Sequence, residues 1–281
     1  MPVNAPPLEA PIVVDSVTKL GPEAAGRVIV GGSHGGIFAA WVAAAAHVRA
    51  VILNDAGIGK DRAGIAGLPY LDRLGIAAGA VDHDSARIGD GADQIARGVL
   101  SHVNPAAAAA GCAPGMRVAE AATLLATRAQ ISGLPVPPED EARHRVGGEW
   151  GDAPAAWALD SNSLVRPDDA GAIIVTGSHG GLLGGKPETA IRVAAYAAIY
   201  NDAGGGIDGA GYSRLPALDA RGIAGATVDA FSARIGDGRS TYQDGIVTRV
   251  NDTARRLGGA AGMSCIELVA RLARAKQGDW A

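Results

Sequence analysis

Arg27 to Gly36 reads RVIVGGSHGG, and the chain contains the pattern a second time as AIIVTGSHGG, Ala172 to Gly181. Each copy is an apolar run of strand length, a small-residue turn carrying Ser-His, and then a segment of helical composition. Downstream landmarks return too. Asn54 to Gly91 and Asn201 to Gly238 agree at roughly two-thirds of their positions, the level of an internal duplication. Two repeats are too few for a solenoid, so the pattern predicts an α/β chain: two repeated βαβ-type units with mainly parallel sheets, related by a pseudo-two-fold axis. Residues 1–130 form the first repeat, the Pro-, Gly- and charge-rich 131–154 the linker, and 155–281 the second repeat.

Outward from the repeated stretch, buried strands are predicted at Pro11 to Val14, Arg27 to Val30, Ala50 to Leu53 and about Ala77 to Val81, with partners at Ala158-Leu159, Ala172 to Val175 and Ala198 to Tyr200. Helices are expected at Ile37 to Ala46, Leu68 to Asp72, Ala92 to Val103 and Met116 to Ala129, then at Tyr242 to Asn251 and Met263 to Lys276.

Hydrophobic residues make up 48% of the 281, enough for a sizeable core, while 41 glycines and 4% aromatic residues point to small-residue packing with many tight turns. The net charge is -4 with scattered basic residues, which argues against nucleic acid as a partner. Cys112 and Cys265 occupy non-equivalent places, so no disulfide framework is indicated. The N-terminal residues lack a signal-peptide pattern, and the apolar run Phe38 to Ala46 is too short to span a membrane; a cytoplasmic protein is expected. The duplicated, glycine-rich halves also suggest a homo-oligomer.

In open parallel sheets, ligands bind beyond the carboxyl ends of the strands. The polar clusters fall there: Asp15-Ser16, Ser33-His34, Asn54-Asp55 and Asp82 to Asp90, with Ser178-His179, Asn201-Asp202 and Asp229 to Asp237 in the second copy. Ser33, His34, Asp55, Asp82, Ser178 and His179 are therefore the candidate catalytic residues. Asn54, Ser85, Arg87, Asn201, Asp202, Ser232 and Arg234 are the candidate substrate-binding residues, with Arg87 and Arg234 placed to clamp a carboxylate or to close on Asp90 and Asp237.

Gly31-Gly32-Ser33-His34-Gly35 fits G-x-S-x-G. From the strand through Asp55 the segment, about a tenth of the chain, resembles the nucleophile elbow of α/β-hydrolases, which implies an exposed serine nucleophile and an oxyanion site at the following helix N-terminus. Thr176 in the first glycine position of the second copy departs from that pattern, as does its repetition, and the chain is not assigned to that family. Gly180 to Lys186 has the spacing of a phosphate-binding loop, but Pro187 replaces the magnesium-binding Ser or Thr, which argues against a nucleotide. His34, Asp55, Asp82 and His83 offer N and O ligands for a divalent metal, in the first copy only, because Ala230 replaces His83 in the second.

The function expected is hydrolysis of a small carboxylate-bearing amide, imide, lactone or ester between the repeats. Ser33 serves as nucleophile or oxyanion donor, His34 as base, and Asp55 or Asp82 orients that base. The alternatives are a metal-dependent isomerase or lyase of a small carboxylic acid and a non-catalytic small-anion-binding module. The partner is in each case an anionic small molecule, without nucleic acid or membrane.

Overall fold

The computed structural model describes residues 9–130, 135–147 and 156–278. The first repeat is a five-stranded sheet in the order β1 (Ile12–Val14), β2 (Val28–His34), β3 (Ala50–Asn54), β4 (Ala77–Val81) and β5 (Leu100–Val103). The first four strands are parallel and β5 is antiparallel to β4. The second is a separate six-stranded sheet of β6 (Arg143–Val146), β7 (Ala156–Leu159), β8 (Ile173–His179), β9 (Ala197–Asn201), β10 (Ala224–Val228) and β11 (Val247–Val250), with β7 to β10 parallel and the two edges antiparallel. The predicted α/β architecture of two mostly parallel units is present.

Alternation along the strands divides each core in two. In β3, Val51 and Leu53 face a cluster with Ala40, Ala43, Leu68 and Leu71 from α1 (Ile37–Ala45) and α2 (Gly67–Arg73). Ala50 and Ile52 face Val118, Ala122 and Leu125 of α5 (Val118–Ala126), which follows α3 (Gly91–Arg97) and α4 (Pro105–Ala108). The second sheet is covered likewise, chiefly by α9 (Cys265–Gln277) on one face, after α6 (Arg214–Asp219), α7 (Gly238–Asp244) and α8 (Asp252–Arg256). Cys112 and Cys265 are free and buried.

Several sequence expectations are corrected. The helices expected at Ala92 to Val103 and Tyr242 to Asn251 each stop at a glycine, Gly98 or Gly245, and their second halves are the antiparallel strands β5 and β11. Those halves carry β-branched residues that fit a sheet edge. Part of the expected linker belongs to the second sheet: β6 pairs with β7, and Arg143 forms a two-pronged bond to buried Asp169 at 2.7 and 2.9 Å. Residues 131–134 and 148–155 of that stretch lie outside the described residues. Between β8 and β9 the described residues form no α-helix; short turns at Leu183–Gly185 and Pro187–Thr189 stand there instead.

The repeats meet through equivalent residues. Ala56 and Ala203, Ile88 and Ile235 share one apolar cluster. Gly57 and Gly204 touch backbone to backbone, both at positive φ, and a Cβ on Gly57 would lie 2.9 Å from Gly204 Cα. Lys60 N donates to Ala230 O at 2.8 Å while Ile207 N donates to His83 O at 2.9 Å. Arg87 pairs with Asp208 and Arg234 with Asp61, at 3.0 and 3.1 Å. The contacts thus run in both directions between equivalent positions of the two repeats.

Candidate functional site

The polar strand ends of both repeats open onto one cleft of about 680 Å³, lined by Ser33, His34, Ser178, His179, Arg214, Arg234 and Glu141 among others. The local structure differs from the sequence expectation. Ser33 and His34 do not sit in a turn after the strand but at the bulged end of β2, where the register shifts between Val30 and His34. Gly32 makes this workable: the loop after β4 packs so closely that a Cβ there would lie 2.5 Å from Asp90 N, and Gly89 N donates to Gly32 O at 2.8 Å. Gly177 repeats the arrangement against Asp237.

The elbow geometry is absent. Neither Ser33 nor Ser178 has the positive φ of a strained nucleophile. Ser33 Oγ accepts from Val17 N at 3.1 Å, and Ser178 Oγ accepts from Asn162 N at 2.8 Å. No base is hydrogen-bonded to either hydroxyl among the described residues, because successive strand residues point to opposite faces and His34 is thereby turned away.

His34 is held instead by its own loop. Gly36 N donates to its Nδ1 at 3.1 Å, and Gly181 N donates to His179 Nδ1 at 3.2 Å. An Nδ1 that accepts leaves the proton of the neutral ring on Nε2. Burial drives the His34 pKa down to about 4, and His179 lies well below its ordinary value through burial, the charge of Arg214 and the neighbouring His34. Both rings are thus neutral donors at pH 7. Among the described residues neither Nε2 is hydrogen-bonded to a protein group, and the one fully buried side-chain polar atom left without a partner there is Gln94 Oε1. Both histidines line the cleft.

The expected aspartates do not orient these rings. Asp55 binds His83 Nδ1 at 2.9 Å and accepts from His83 N and Gly57 N. The salt-bridging imidazole holds the Asp55 carboxyl below its usual range against the opposing effect of burial, and Asp55 in turn raises His83. Asp82 stands beside them, 3.5 Å from His83 Nδ1. Asp55, Asp82 and His83 offer three ligand atoms within 4.8 Å of one another, but His34 is not in the group and none of the three lines the cleft. Asp202 accepts from Gly204 N and Ala230 N, tying two loops together.

The expected substrate-binding residues are also engaged in the fold. Asn54 and Asn201 each bond Ala56 N or Ala203 N and reach across to Ala86 O or Ala233 O. Ser85 and Ser232 brace their loops by donating to Asp82 O and Asp229 O. Arg87 closes on Asp208, and more distantly on Asp90 at 3.6 Å; Arg234 closes on Asp237 and Asp61. Because the Arg87–Asp208 pair is exposed, Arg87→Ala is expected to cost at most about 1 kcal/mol in a denaturant titration and to leave ligand affinity unchanged.

Two residues that the sequence reading did not single out stand in the cleft. Glu141, just before β6, has its carboxyl pushed up to about 7 by burial, with Asp160 adding to the rise and the hydroxyls of Ser163 and Ser161 opposing it. Arg214, 2% exposed, donates to Gly181 O, Thr189 O and Ala190 O and stacks 4.9 Å over the Tyr200 ring. No carboxylate is paired with it among the described residues. Its sequence signal was the break in the repeat: Arg214 stands where the first copy has Gly67.

The neutral histidines set a stability window. Their folded pKa values lie below the unfolded value near 6.5, so the unfolded chain binds more protons in acid. Stability is expected to be fully present above about pH 6.5 and to fall as pH drops toward 4, by up to about 1.4 kcal/mol per unit for each ring. Thermal melts across that range check it; a His179→Gln variant flattens the slope.

Comparison with known proteins returns no match: no family model, no curated protein sequence and no solved structure resembles the chain. Among the described residues no helix is long and apolar enough to cross a membrane.

Proposed function

We propose that the cleft hydrolyses a small carboxylate-bearing amide, imide, lactone or ester, with water rather than serine as the nucleophile. The observation that carries this reading is a pair of imidazoles, each held by a bond to its Nδ1 and with no Nε2 partner among the described residues, in the lining of a cleft that also holds Glu141. A carboxyl group titrating near 7 is matched to accepting a proton from water at neutral pH. A neutral imidazole is a donor to a developing oxyanion that does not give up its proton, and a fixed donor needs no reorganisation. Arg214, with no carboxylate paired to it among the described residues, is the cation proposed to meet the substrate's carboxylate, in a lining that also carries acidic side chains such as Asp61, Glu139 and Glu188.

The step balances as follows. Glu141 takes one proton from water, and the oxygen adds to the carbonyl carbon. The resulting oxyanion accepts from His34 or His179. The bond from carbon to the leaving nitrogen or oxygen breaks, and Glu141 returns its proton to that atom. The metal-dependent alternative loses ground because Asp55, Asp82 and His83 lie outside the cleft lining.

The test is turnover of a panel of carboxylate-bearing lactams, imides, lactones and esters, followed by NMR. Hydrolysis of at least one is expected, with kcat lowered about 100-fold by His34→Ala. Binding without turnover across the panel would leave an anion-binding module. Stoichiometric labelling by a serine reagent, abolished by Ser33→Ala, would restore the serine nucleophile.

A further inference from the structure

The cleft is lined by equivalent residues taken in pairs, one from each repeat: Ser16 and Ser161, Thr18 and Ser163, Ser33 and Ser178, His34 and His179. Each pair is bonded in the same way. Ser16 Oγ lies 2.8 Å from Thr18 Oγ1, and Ser161 Oγ lies 2.8 Å from Ser163 Oγ. Ser33 and Ser178 each accept from the backbone N–H one residue beyond Ser16 or Ser161. Both histidines accept at Nδ1 from the glycine two residues on.

Each imidazole also lies against the other repeat. A Cβ on Gly236 would be 3.4 Å from His34 Cε1, and one on Gly89 would be 3.2 Å from His179 Cε1. The rings are clamped from both sides, so neither can turn its Nδ1 into the cleft without breaking its backbone bond. The two Nε2–H groups are therefore an equivalent pair of donors in one cleft lining, neither bonded to protein among the described residues. A ligand with one acceptor oxygen satisfies one donor and leaves the other to water; a ligand with two satisfies both.

We infer that the substrate carries two carbonyl oxygens, one for each histidine, and that within the proposed hydrolytic reading it is a cyclic imide. The asymmetry that chemistry needs comes from outside the repeated pairs. Glu141 belongs to the segment before β6, which has no counterpart beside the first sheet among the described residues, and Arg214 replaces Gly67. Water activated by Glu141 attacks one of the two carbonyls. The bond from that carbon to the imide nitrogen breaks, and the nitrogen takes the proton, giving a ring-opened amide acid. The other carbonyl stays on its histidine as an anchor.

The probes are hydantoin-5-acetate, which has two ring carbonyls flanking one nitrogen, and pyroglutamate, an anionic ring of similar size with one. Binding is followed by calorimetry and by the imidazole ¹⁵N resonances of the unmodified protein, which need no variant to fold. Hydantoin-5-acetate is expected to shift both Nε2 signals and to lose about tenfold in affinity in either His34→Ala or His179→Ala. Pyroglutamate is expected to shift one signal and to respond to one variant only. The inference is overturned if hydantoin-5-acetate engages a single histidine, if it fails to bind at millimolar concentration, or if pyroglutamate engages both rings equally. The two readings fail separately. Engagement of both rings without ring opening removes hydrolysis and keeps the two-carbonyl ligand, whereas turnover of single-carbonyl substrates with equal efficiency does the reverse.

Discussion

Glu141→Gln is expected to lower kcat by about 10²- to 10⁴-fold and to abolish the limb of the pH profile near 7. The substitution keeps the side chain's shape and its bond from Ser163 Oγ, 3.4 Å away, while removing the carboxylate proposed to take the proton from water. In the unmodified protein, activity should rise with pH through about 7 as the half-buried carboxyl ionises. Stability moves the other way. The folded pKa of Glu141 is raised above the ordinary 4.5, so the native state holds the extra proton between about pH 4.5 and 7. Its contribution is fully present below 4.5 and is lost as pH rises through 7. The glutamine variant has no such loss. Its melting temperature relative to the parent should therefore climb from pH 5 to pH 8, and a parallel pair of curves would remove the buried carboxyl from the account.

Arg214→Leu is expected to destabilise the chain by about 3–5 kcal/mol, read from denaturant titration. In the first repeat, α1 packs directly on Gly67, where a Cβ would lie 2.6 Å from Ala40 Cβ. The second repeat has no helix there. The Arg214 guanidinium fills the space, satisfying Gly181 O, Thr189 O and Ala190 O and resting on the Tyr200 ring. Leucine fills part of the volume and leaves Gly181 O and Thr189 O without the guanidinium donor, at about 1–3 kcal/mol for each one that stays dry, while Ala190 O keeps the Tyr200 hydroxyl, which donates to it at 2.8 Å. Arg214→Lys should recover only part of the loss, because an ammonium cannot reproduce the planar fork. The same loss should raise the His179 pKa, since the charge of Arg214 helps to keep that ring neutral.

How far the site could be read in advance differs by residue. Ser33, His34, Ser178 and His179 stood out because a repeated Ser-His at a strand end is a local pattern, and all four do line one cleft. Their roles were not local. Whether His34 receives a proton or donates one depends on Gly36 N, two residues away, and on burial by the other repeat. Asp55 and Asp82 looked equally available, yet His83 sits nearer and takes Asp55. Arg87 and Arg234 were drawn to acids on the opposite repeat, Asp208 and Asp61, which no spacing along the chain connects. Glu141 was hidden in a stretch whose composition reads as linker.

The sequence by itself determined the architecture: two copies of an α/β unit, mostly parallel strands with small polar residues at their ends, and cores built from Ala, Val, Ile and Leu. Those features follow from periodicity and turn residues, which act over a few positions. Tertiary structure alone decided that Leu100–Val103 is a strand, that Arg214 stands in for a helix, and that two histidines from distant segments share one cleft as neutral donors. Each of these is set by what lies across the interface, through burial, excluded volume and the charge of neighbours far along the chain. Such forces depend on distance in space, and the order of residues does not record it.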